Sequence, residues 1–167
     1  GLLNVTGSMA WSSGDLNGGG GLTRVAVGAT LVMSGPTART INAQTLEIAG
    51  IGVWFESATI NTGGAGTLRV AATGSLEIQA DPTFSFSQGG TPSLFQNLGA
   101  VLRTVSTGIV TINAPITNAG SFTIQTGIVD LRGNGTLGGG FTVPAPGVLR
   151  FSVGTYAMQP GFAVIGT

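Results

Sequence analysis

The ionisable side chains of this chain are few, and their types exclude most acid–base and metal chemistry. The sequence contains six Arg and six carboxylic acids, and it has no Lys, His or Cys. A serine triad needs an imidazole base, and a typical zinc site needs His or Cys ligands. We therefore expect no catalytic residue, no metal site and no cofactor, and we expect that the protein is not an enzyme.

The carboxylic acids leave one route to catalysis, the cleavage of a polysaccharide. A glycosidase needs two carboxyl groups in one cleft, with a raised pKa on one of them. Glu56 and Glu77 are the two acids that a repeating fold could bring together. A lyase would need clustered acids and a basic catalytic residue, and the sequence shows no such cluster. A polysaccharide lyase or hydrolase is therefore the least favoured of three functional hypotheses.

Charge and hydropathy limit the partners of the chain. The formal net charge is zero, so nothing predicts electrostatic binding to nucleic acid. No run of about 18 apolar residues occurs, and we expect no membrane-spanning segment. The chain starts with Gly1 and not with Met, which favours a processed chain or a piece of a longer one.

The strongest signal in the sequence is a phrase that recurs seven times. Each copy consists of an apolar alternation, a bend at glycine and a second apolar strand, and the copies lie at 2–11, 22–33, 45–55, 67–78, 101–112, 121–131 and 141–151. Regular repetition at this interval is typical of solenoids. The period of two within each copy predicts β-strands.

A third apolar element precedes each copy and ends near an Asn, as at Leu16-Asn17 and Ile41-Asn42. Asn and Gly accept the backbone angles of sharp corners. Three short strands in a repeat of about 20 residues predict a three-sided coil. We therefore predict an all-β fold, a right-handed parallel β-helix of about seven turns in one domain spanning 1–167. A jelly roll or β-sandwich is the alternative.

Stacked coils would align equivalent side chains in columns along the interior. One predicted column contains Leu3, Thr23, Leu46, Leu68, Leu102, Phe122 and Phe141, and the second contains Val5, Val25, Ile48, Val70, Thr104, Ile124 and Val143. Which side chains of residues 101–105 point inward is undecided, because Val101, Arg103 and Val105 fit an inward orientation as well as Leu102 and Thr104 do.

Charged residues occupy the outward position between the two columns. Arg24, Glu47 and Arg69 alternate in sign there on successive turns, and Asp130 and Arg150 take equivalent positions on the second strand. Opposite charges on adjacent strands support register, although an exposed pair adds only about 0–1 kcal/mol. An arginine-based anion site is the alternative interpretation.

One segment departs from the repeat, and we predict an inserted loop at 81–94. It contains Pro and Gly residues typical of loops, together with Phe84 and Phe86, which alternate as in a strand. Loops on a rigid scaffold often bind ligands. The candidate ligand-binding residues are therefore Trp54, Phe84 and Phe86, with surface glycans as the ligand. The alternative is that these rings pack in the core.

The ends of the predicted coil have no capping helix, and uncovered strand edges invite pairing with another chain. We predict self-association through Leu3 and Val5 at one end and through Phe162 and Val164 at the other. The partner would be a second copy stacked along the axis, or further turns of a longer chain.

Segments 118–143 and 147–158 carry a family resemblance. Their N-x-G corners, G-x-L-x-V strands and T-G-x-V-x-L continuations resemble the repeats of secreted bacterial surface proteins of the filamentous-haemagglutinin and autotransporter β-helix types. The resemblance implies an extracellular or cell-surface location, a role as stalk, adhesin or fibre, and no catalytic residues. We therefore expect a structural module, with a carbohydrate-binding adhesin as the second hypothesis.

Overall fold

The computed structural model describes residues 1–166, which form 21 β-strands joined by short corners. Thr167 lies outside the described residues. The β-branched residues Val, Ile and Thr are abundant, Lys is absent and Glu is rare, which favours strands over helices. Within 1–166 no helix is long and apolar enough to cross a membrane.

The strands follow one another around an axis, three to a coil. The first four coils contain β1 (Leu2–Val5), β2 (Ser8–Trp11), β3 (Gly14–Val25), β4 (Thr30–Met33), β5 (Arg39–Ile48), β6 (Ile51–Trp54), β7 (Ile60–Gly63), β8 (Thr67–Val70), β9 (Ser75–Ile78) and β10 (Thr83–Phe86). The later coils contain β11 (Leu94–Asn97), β12 (Ala100–Arg103), β13 (Ile109–Asn113), β14 (Ile116–Asn118), β15 (Ser121–Ile124), β16 (Ile128–Leu131), β17 (Gly135–Leu137), β18 (Gly140–Val143), β19 (Val148–Phe151), β20 (Tyr156–Met158) and β21 (Ala163–Gly166).

Each strand pairs in parallel with its equivalents in the neighbouring coils, and the pairings form three stacks of strands, here called faces. Faces 1 and 3 are joined through β3 and β5 into one 13-stranded sheet, and face 2 is a separate 8-stranded sheet. Face 1 contains β1, the second halves of β3 and β5, β8, β11, β14, β17 and β20. Face 2 contains β2, β4, β6, β9, β12, β15, β18 and β21. Face 3 contains the first halves of β3 and β5, then β7, β10, β13, β16 and β19. The long strands β3 and β5 each continue from face 3 onto face 1.

The predicted all-β parallel solenoid is therefore confirmed. The described chain has seven complete coils and an eighth with strands only on faces 1 and 2, against the seven turns predicted. The additional coil begins at β20 and continues through β21, beyond the last copy of the sequence phrase. The right-handed sense stays a prediction.

Apolar side chains fill the interior in columns. On face 1, Leu46 pairs with Leu68 and Leu68 pairs with Phe95, and all three are fully buried. On face 2, the rings of Phe122 and Phe141 stack with their centres 5.5 Å apart. A buried aliphatic side chain contributes about 1.5–3 kcal/mol, and it is buried here only because coils lie above and below it.

The predicted columns are correct in the first four coils and wrong beyond them. The first four members of each column share face 1, but Phe122 and Phe141 lie on face 2. The face 1 columns continue instead through Phe95 and Ile116. The error arises because a pair of strands on faces 2 and 3 has the same apolar and glycine pattern as a pair on faces 1 and 2.

The sequence does not decide which side chains of β12 point inward, and the structure selects the alternative set. Val101 and Arg103 are fully buried and point into the coil, whereas Leu102 is half-buried and points outward. Val105 lies beyond the strand and is exposed. A charged side chain therefore occupies an interior position of face 2.

The insertion predicted at 81–94 is wrong for its central part. Residues 83–86 form β10, a regular face 3 strand that pairs with β7 and β13. A longer corner follows at 87–93. The uneven spacing between Asn61 and Asn97 caused the error, because Asn61 lies on face 3 and Asn97 on face 1.

Glycine is required where the corners between faces 1 and 2 lie over one another. A Cβ added at Gly120 would collide with the carbonyl oxygen of Gly99, and one added at Gly139 would collide with that of Gly120. None of these three glycines has a positive φ. Close approach of successive backbones, and not a special backbone angle, therefore demands glycine at this corner.

We predict that Gly120→Ala lowers the free energy of unfolding by about 1–3 kcal/mol, the usual cost of forcing atoms into a packed site. Urea unfolding followed by circular dichroism measures this loss. Gly140→Ala is the matched control, because a Cβ there meets no atom within 4 Å and the φ is not positive. Equal losses in the two variants would contradict the close-approach explanation.

Candidate functional site

A charge ladder crosses face 1 on three successive coils. Arg24 Nε lies 3.1 Å from Glu47 Oε1, and Arg69 Nη1 lies 3.2 Å from Glu47 Oε2. Arg69 Nε also donates a hydrogen bond to the Gln96 side chain at 2.7 Å. The predicted ladder is confirmed, and the contacts of both guanidinium groups with Glu47 favour it over an anion site.

A second cluster surrounds Asp130 on face 3. Arg132 Nε and Arg150 Nη2 lie 2.6 and 2.8 Å from Asp130 Oδ2, and the Ser152 hydroxyl donates to Oδ1 at 2.5 Å. The predicted pairing of Asp130 with Arg150 is confirmed. The carboxylate points away from the interior but is fully covered by these three side chains.

Two opposing effects set the pKa of Asp130. Burial alone would raise it, but the hydrogen bonds from Arg150, Ser152 and Arg132 prevail and lower the pKa to about 2. The carboxyl of an unfolded chain has a pKa of about 3.9. Asp130 therefore stabilises the fold above about pH 4, and this contribution is lost as the pH falls towards 2.

A buried arginine lies at the corner between faces 2 and 3. Arg103 has no exposed side-chain surface, and its guanidinium forms an ion pair with Asp81 and donates to the carbonyl oxygen of Ala80. The Ser106 hydroxyl donates to the other Asp81 oxygen at 2.7 Å. This group therefore ties the end of β12 to the corner of the preceding coil.

Arg39 is a second buried arginine, and its burial was not predicted from the sequence. Its Nε donates to the carbonyl oxygen of Trp11 at 2.8 Å, its Nη2 donates to that of Ser34, and its guanidinium carbon lies 5.7 Å from the Trp11 ring centre. Burial lowers the pKa of Arg39, and Glu56 opposes this effect. The sequence pattern could have indicated this burial, because Arg39 lies two residues before the inward Ile41 in β5 and therefore points to the same side.

The structure separates the three candidate ligand-binding rings. Trp54 ends a face 2 strand, whereas Phe84 and Phe86 lie in β10 on face 3. Trp54 and Phe84 are each 1% exposed, Phe84 packs edge-on against Phe95, and Phe86 is partly buried against the same core. A sugar could stack on Trp54 or Phe84 only if the coil opened.

The four candidate self-association residues lie at the two ends of the solenoid. Leu3 and Val5 are in the first face 1 strand, and Val164 is in the last face 2 strand. Leu3 and Val164 are half-exposed, whereas Val5 and Phe162 are partly buried. Phe162 contacts Phe141, with ring centres 6.1 Å apart.

The acids that the sequence analysis considered for catalysis lie in a strand and in a corner. Glu77 belongs to β9, where it pairs with Val53 and accepts a hydrogen bond from Thr104 at 2.7 Å. Glu56 lies in the corner after β6. Among residues 1–166, no group of three or more His, Cys, Asp or Glu side chains is arranged to bind a metal ion.

Comparison with family models, curated proteins and solved structures yields no match. The likeness of segments 118–143 and 147–158 to surface-protein repeats therefore stays a prediction from sequence motifs. The features that the structure itself provides are the stacked core, the side-chain clusters that join successive coils, and the two ends.

We predict that Arg103→Ala lowers the free energy of unfolding by about 2–5 kcal/mol, because it empties a fully buried side-chain site and leaves the carbonyl oxygen of Ala80 without this donor. Chemical denaturation measures the loss. Arg69→Ala is the control, since its ion pair is partly exposed and is expected to contribute about 1 kcal/mol or less. Similar losses in both variants would show that Arg103 is not a buried structural link.

The low pKa of Asp130 makes the stability of the fold depend on pH in acid. Between pH 4 and pH 2 the wild-type protein should lose stability relative to Asp130→Asn, because only the wild type must protonate a carboxylate whose folded pKa is about 2. Urea midpoints of both proteins across this range measure the difference. Asp15→Asn, at an exposed acid, should follow the wild type. A constant gap between wild type and Asp130→Asn from pH 7 to pH 2 would contradict the assignment.

Proposed function

We propose that this chain is a non-catalytic, extracellular structural module, a rigid β-solenoid that builds a surface stalk or a fibre by end-to-end self-association. The observation that supports the proposal is the continuous stack of parallel coils over residues 1–166, which share one apolar interior. The extracellular setting is proposed from the motif resemblance of segments 118–143 and 147–158.

Within residues 1–166, the first and last strands place core-type residues where a coil lies on one side only. Leu3 is 52% exposed, although Leu46 occupies the same column of face 1 and is 0% exposed. Val164 is 50% exposed, although Phe141 in its column on face 2 is fully buried. Apolar surface of this kind gains about 25 cal/mol for each Å² removed from water. A coil placed over either end would therefore be stabilised by the same burial that stabilises the interior.

The backbone at each end also favours a second copy of the chain as the partner. The outer edges of β1 and β2 at one end, and of β20 and β21 at the other, lack a paired strand within residues 1–166. Such edges are templates for strand pairing. All internal pairings are parallel, so an end edge of one copy matches the opposite end edge of another in direction as well as in side-chain pattern.

The sides of the solenoid carry exposed apolar residues such as Phe55 and Ile109, but they offer a partner no strand edge within residues 1–166. On face 1 the charges of Arg24, Glu47 and Arg69 are paired within the face. On face 3 Asp130 is covered by its own arginines. The side strands are paired on both edges, so a lateral partner finds no free backbone edge there. Growth along the axis is therefore the favoured direction.

We predict that the purified protein forms particles of increasing length as its concentration rises, seen by light scattering and negative-stain microscopy. Leu3→Asp and Val164→Asp should each suppress growth at least tenfold, because each places a charge in the stacked end. Val27→Asp is the control, since Val27 is exposed at a corner on the side of the coil.

Far-UV circular dichroism and thermal melting establish that all three variants are folded before their assembly is compared. A wild-type protein that stays a monodisperse monomer at high concentration would contradict the proposal. Equal suppression by Val27→Asp would also contradict it, because the association would then not be specific to the ends.

A further inference from the structure

We propose that the peptide bond between Asp81 and Pro82 is a self-cleavage site, and that Arg103 and Ser106 of the next coil hold it closed. In acid the side-chain carboxyl group of Asp81 cuts the chain on its own C-terminal side, with water as the only co-reactant. Neither the ends of the chain nor its assembly enters this mechanism.

The sequence provides one bond of this type. Asp81 precedes a proline, whereas the other two aspartates, Asp15 and Asp130, each precede a leucine. Proline has no backbone N–H, and the nitrogen of its tertiary amide is a better leaving group in acid than that of an ordinary peptide bond. An aspartate carboxyl can reach its own main-chain carbonyl carbon, so the attack is intramolecular and needs no external nucleophile.

The reaction proceeds in two balanced steps. An oxygen of the Asp81 carboxyl group forms a bond to the main-chain carbonyl carbon of the same residue and closes a five-membered cyclic anhydride. The bond from that carbon to the Pro82 nitrogen breaks, and the proton of the carboxyl group moves to the nitrogen. Water then opens the anhydride, which leaves Asp81 with a side-chain and a terminal carboxyl group and Pro82 with a free amine.

The fold directs the Asp81 carboxylate away from this carbon and towards the next coil. Its Oδ1 forms the ion pair with Arg103, and its Oδ2 accepts a hydrogen bond from the Ser106 hydroxyl at 2.7 Å. The carboxylate also packs against the backbone of Gly108 so closely that an added Cβ there would collide with it. Attack therefore requires the side chain to leave all three neighbours, and their contacts keep the bond intact.

Acid reaches the site without unfolding of the chain. The Asp81 side chain is 35% exposed, although that of Arg103 is fully buried. Protonation of the carboxylate removes the charge that pairs with Arg103 and supplies the proton that the leaving nitrogen takes up. The release of the side chain and the chemical step thus depend on the same proton.

The main chain is anchored on both sides of the bond. The Asp81 N–H donates to the Ser57 hydroxyl oxygen at 3.1 Å, and the Pro82 carbonyl oxygen accepts from the Thr111 N–H at 3.0 Å. The first contact reaches the preceding coil and the second reaches the next coil. The backbone at the bond is therefore fixed, and the orientation of the Asp81 side chain decides whether the reaction occurs.

A cut at this corner would leave one solenoid made of two chains. The strands β7, β8 and β9 precede the bond, and they pair with β10, β11 and β12, which follow it. The apolar interior is continuous across these pairings. The two fragments, residues 1–81 and 82–167, should therefore separate only under denaturing conditions.

The test is incubation of folded protein at about pH 4, near the ordinary pKa of an aspartic acid, followed by denaturing gels and intact-mass measurement. Arg103→Met removes the ion pair and refills the buried site with an apolar side chain. Arg69→Met is the matched control, because it makes the same change at a partly exposed ion pair with Glu47. We expect Arg103→Met to be cut at 81/82 roughly tenfold faster than the wild type or more, and Arg69→Met to be cut at the wild-type rate.

A second control separates release of Asp81 from loss of stability. Gly120→Ala keeps the contact between Arg103 and Asp81, and urea is added until its free energy of unfolding equals that of Arg103→Met. We expect Gly120→Ala to be cut several-fold more slowly than Arg103→Met under these matched conditions. Equal rates would overturn the role of Arg103, because cleavage would then follow global unfolding alone.

The chemistry itself is tested by the nucleophile. Arg103→Met/Asp81→Glu should stay uncut, because a glutamate would have to close a less favourable six-membered ring. Wild-type protein unfolded in urea at the same pH should be cut at 81/82, and faster than the folded protein. Absence of that cut in the unfolded chain would overturn the self-cleavage site, and equal rates in the folded and unfolded chains would overturn its protection by the fold.

Discussion

Direct contact between the backbones of successive coils is the constraint on which the rest of this structure depends. At the corner between faces 1 and 2, Gly99, Gly120 and Gly139 lie so close together that a Cβ on Gly120 or Gly139 would collide with the backbone of the coil before it. This contact allows each coil to lie flush on its neighbour, at the spacing that parallel strand pairing requires. Once the corners are flush, the columns of apolar side chains on all three faces are in register.

The same stacking determines where polar groups are tolerated. The buried amides of Asn97 and Asn118 lie one coil apart and are joined by a 2.7 Å hydrogen bond. Each amide therefore satisfies part of the hydrogen-bonding capacity of the other. Arg103 reaches Asp81 in the preceding coil, and Arg39 reaches the backbone of Trp11. Each of these four side chains thus links one coil to another and resists their separation.

Local pattern alone predicts the fold class, and it fails where the three faces look alike. The period of two and the regular glycines predict the parallel solenoid, the ladder of Arg24, Glu47 and Arg69, and the pairing of Asp130 with Arg150. They do not distinguish a pair of strands on faces 1 and 2 from a pair on faces 2 and 3. The predicted columns therefore move to the wrong face after Leu68, and β10 resembles an insertion. The interior position of Arg103 also depends on this phase, which only the pairing of β12 with β9 and β15 decides.

Stacked coils bring strands one coil apart into contact, and nuclear Overhauser effects in isotopically labelled protein measure these contacts directly. We expect short backbone proton distances between the strand containing Leu46 and that containing Leu68, and between those containing Phe122 and Phe141, with the pattern of parallel pairing. Contacts instead between consecutive strands, such as β8 with β9, in an antiparallel pattern would contradict the stacked coil and every conclusion drawn from it.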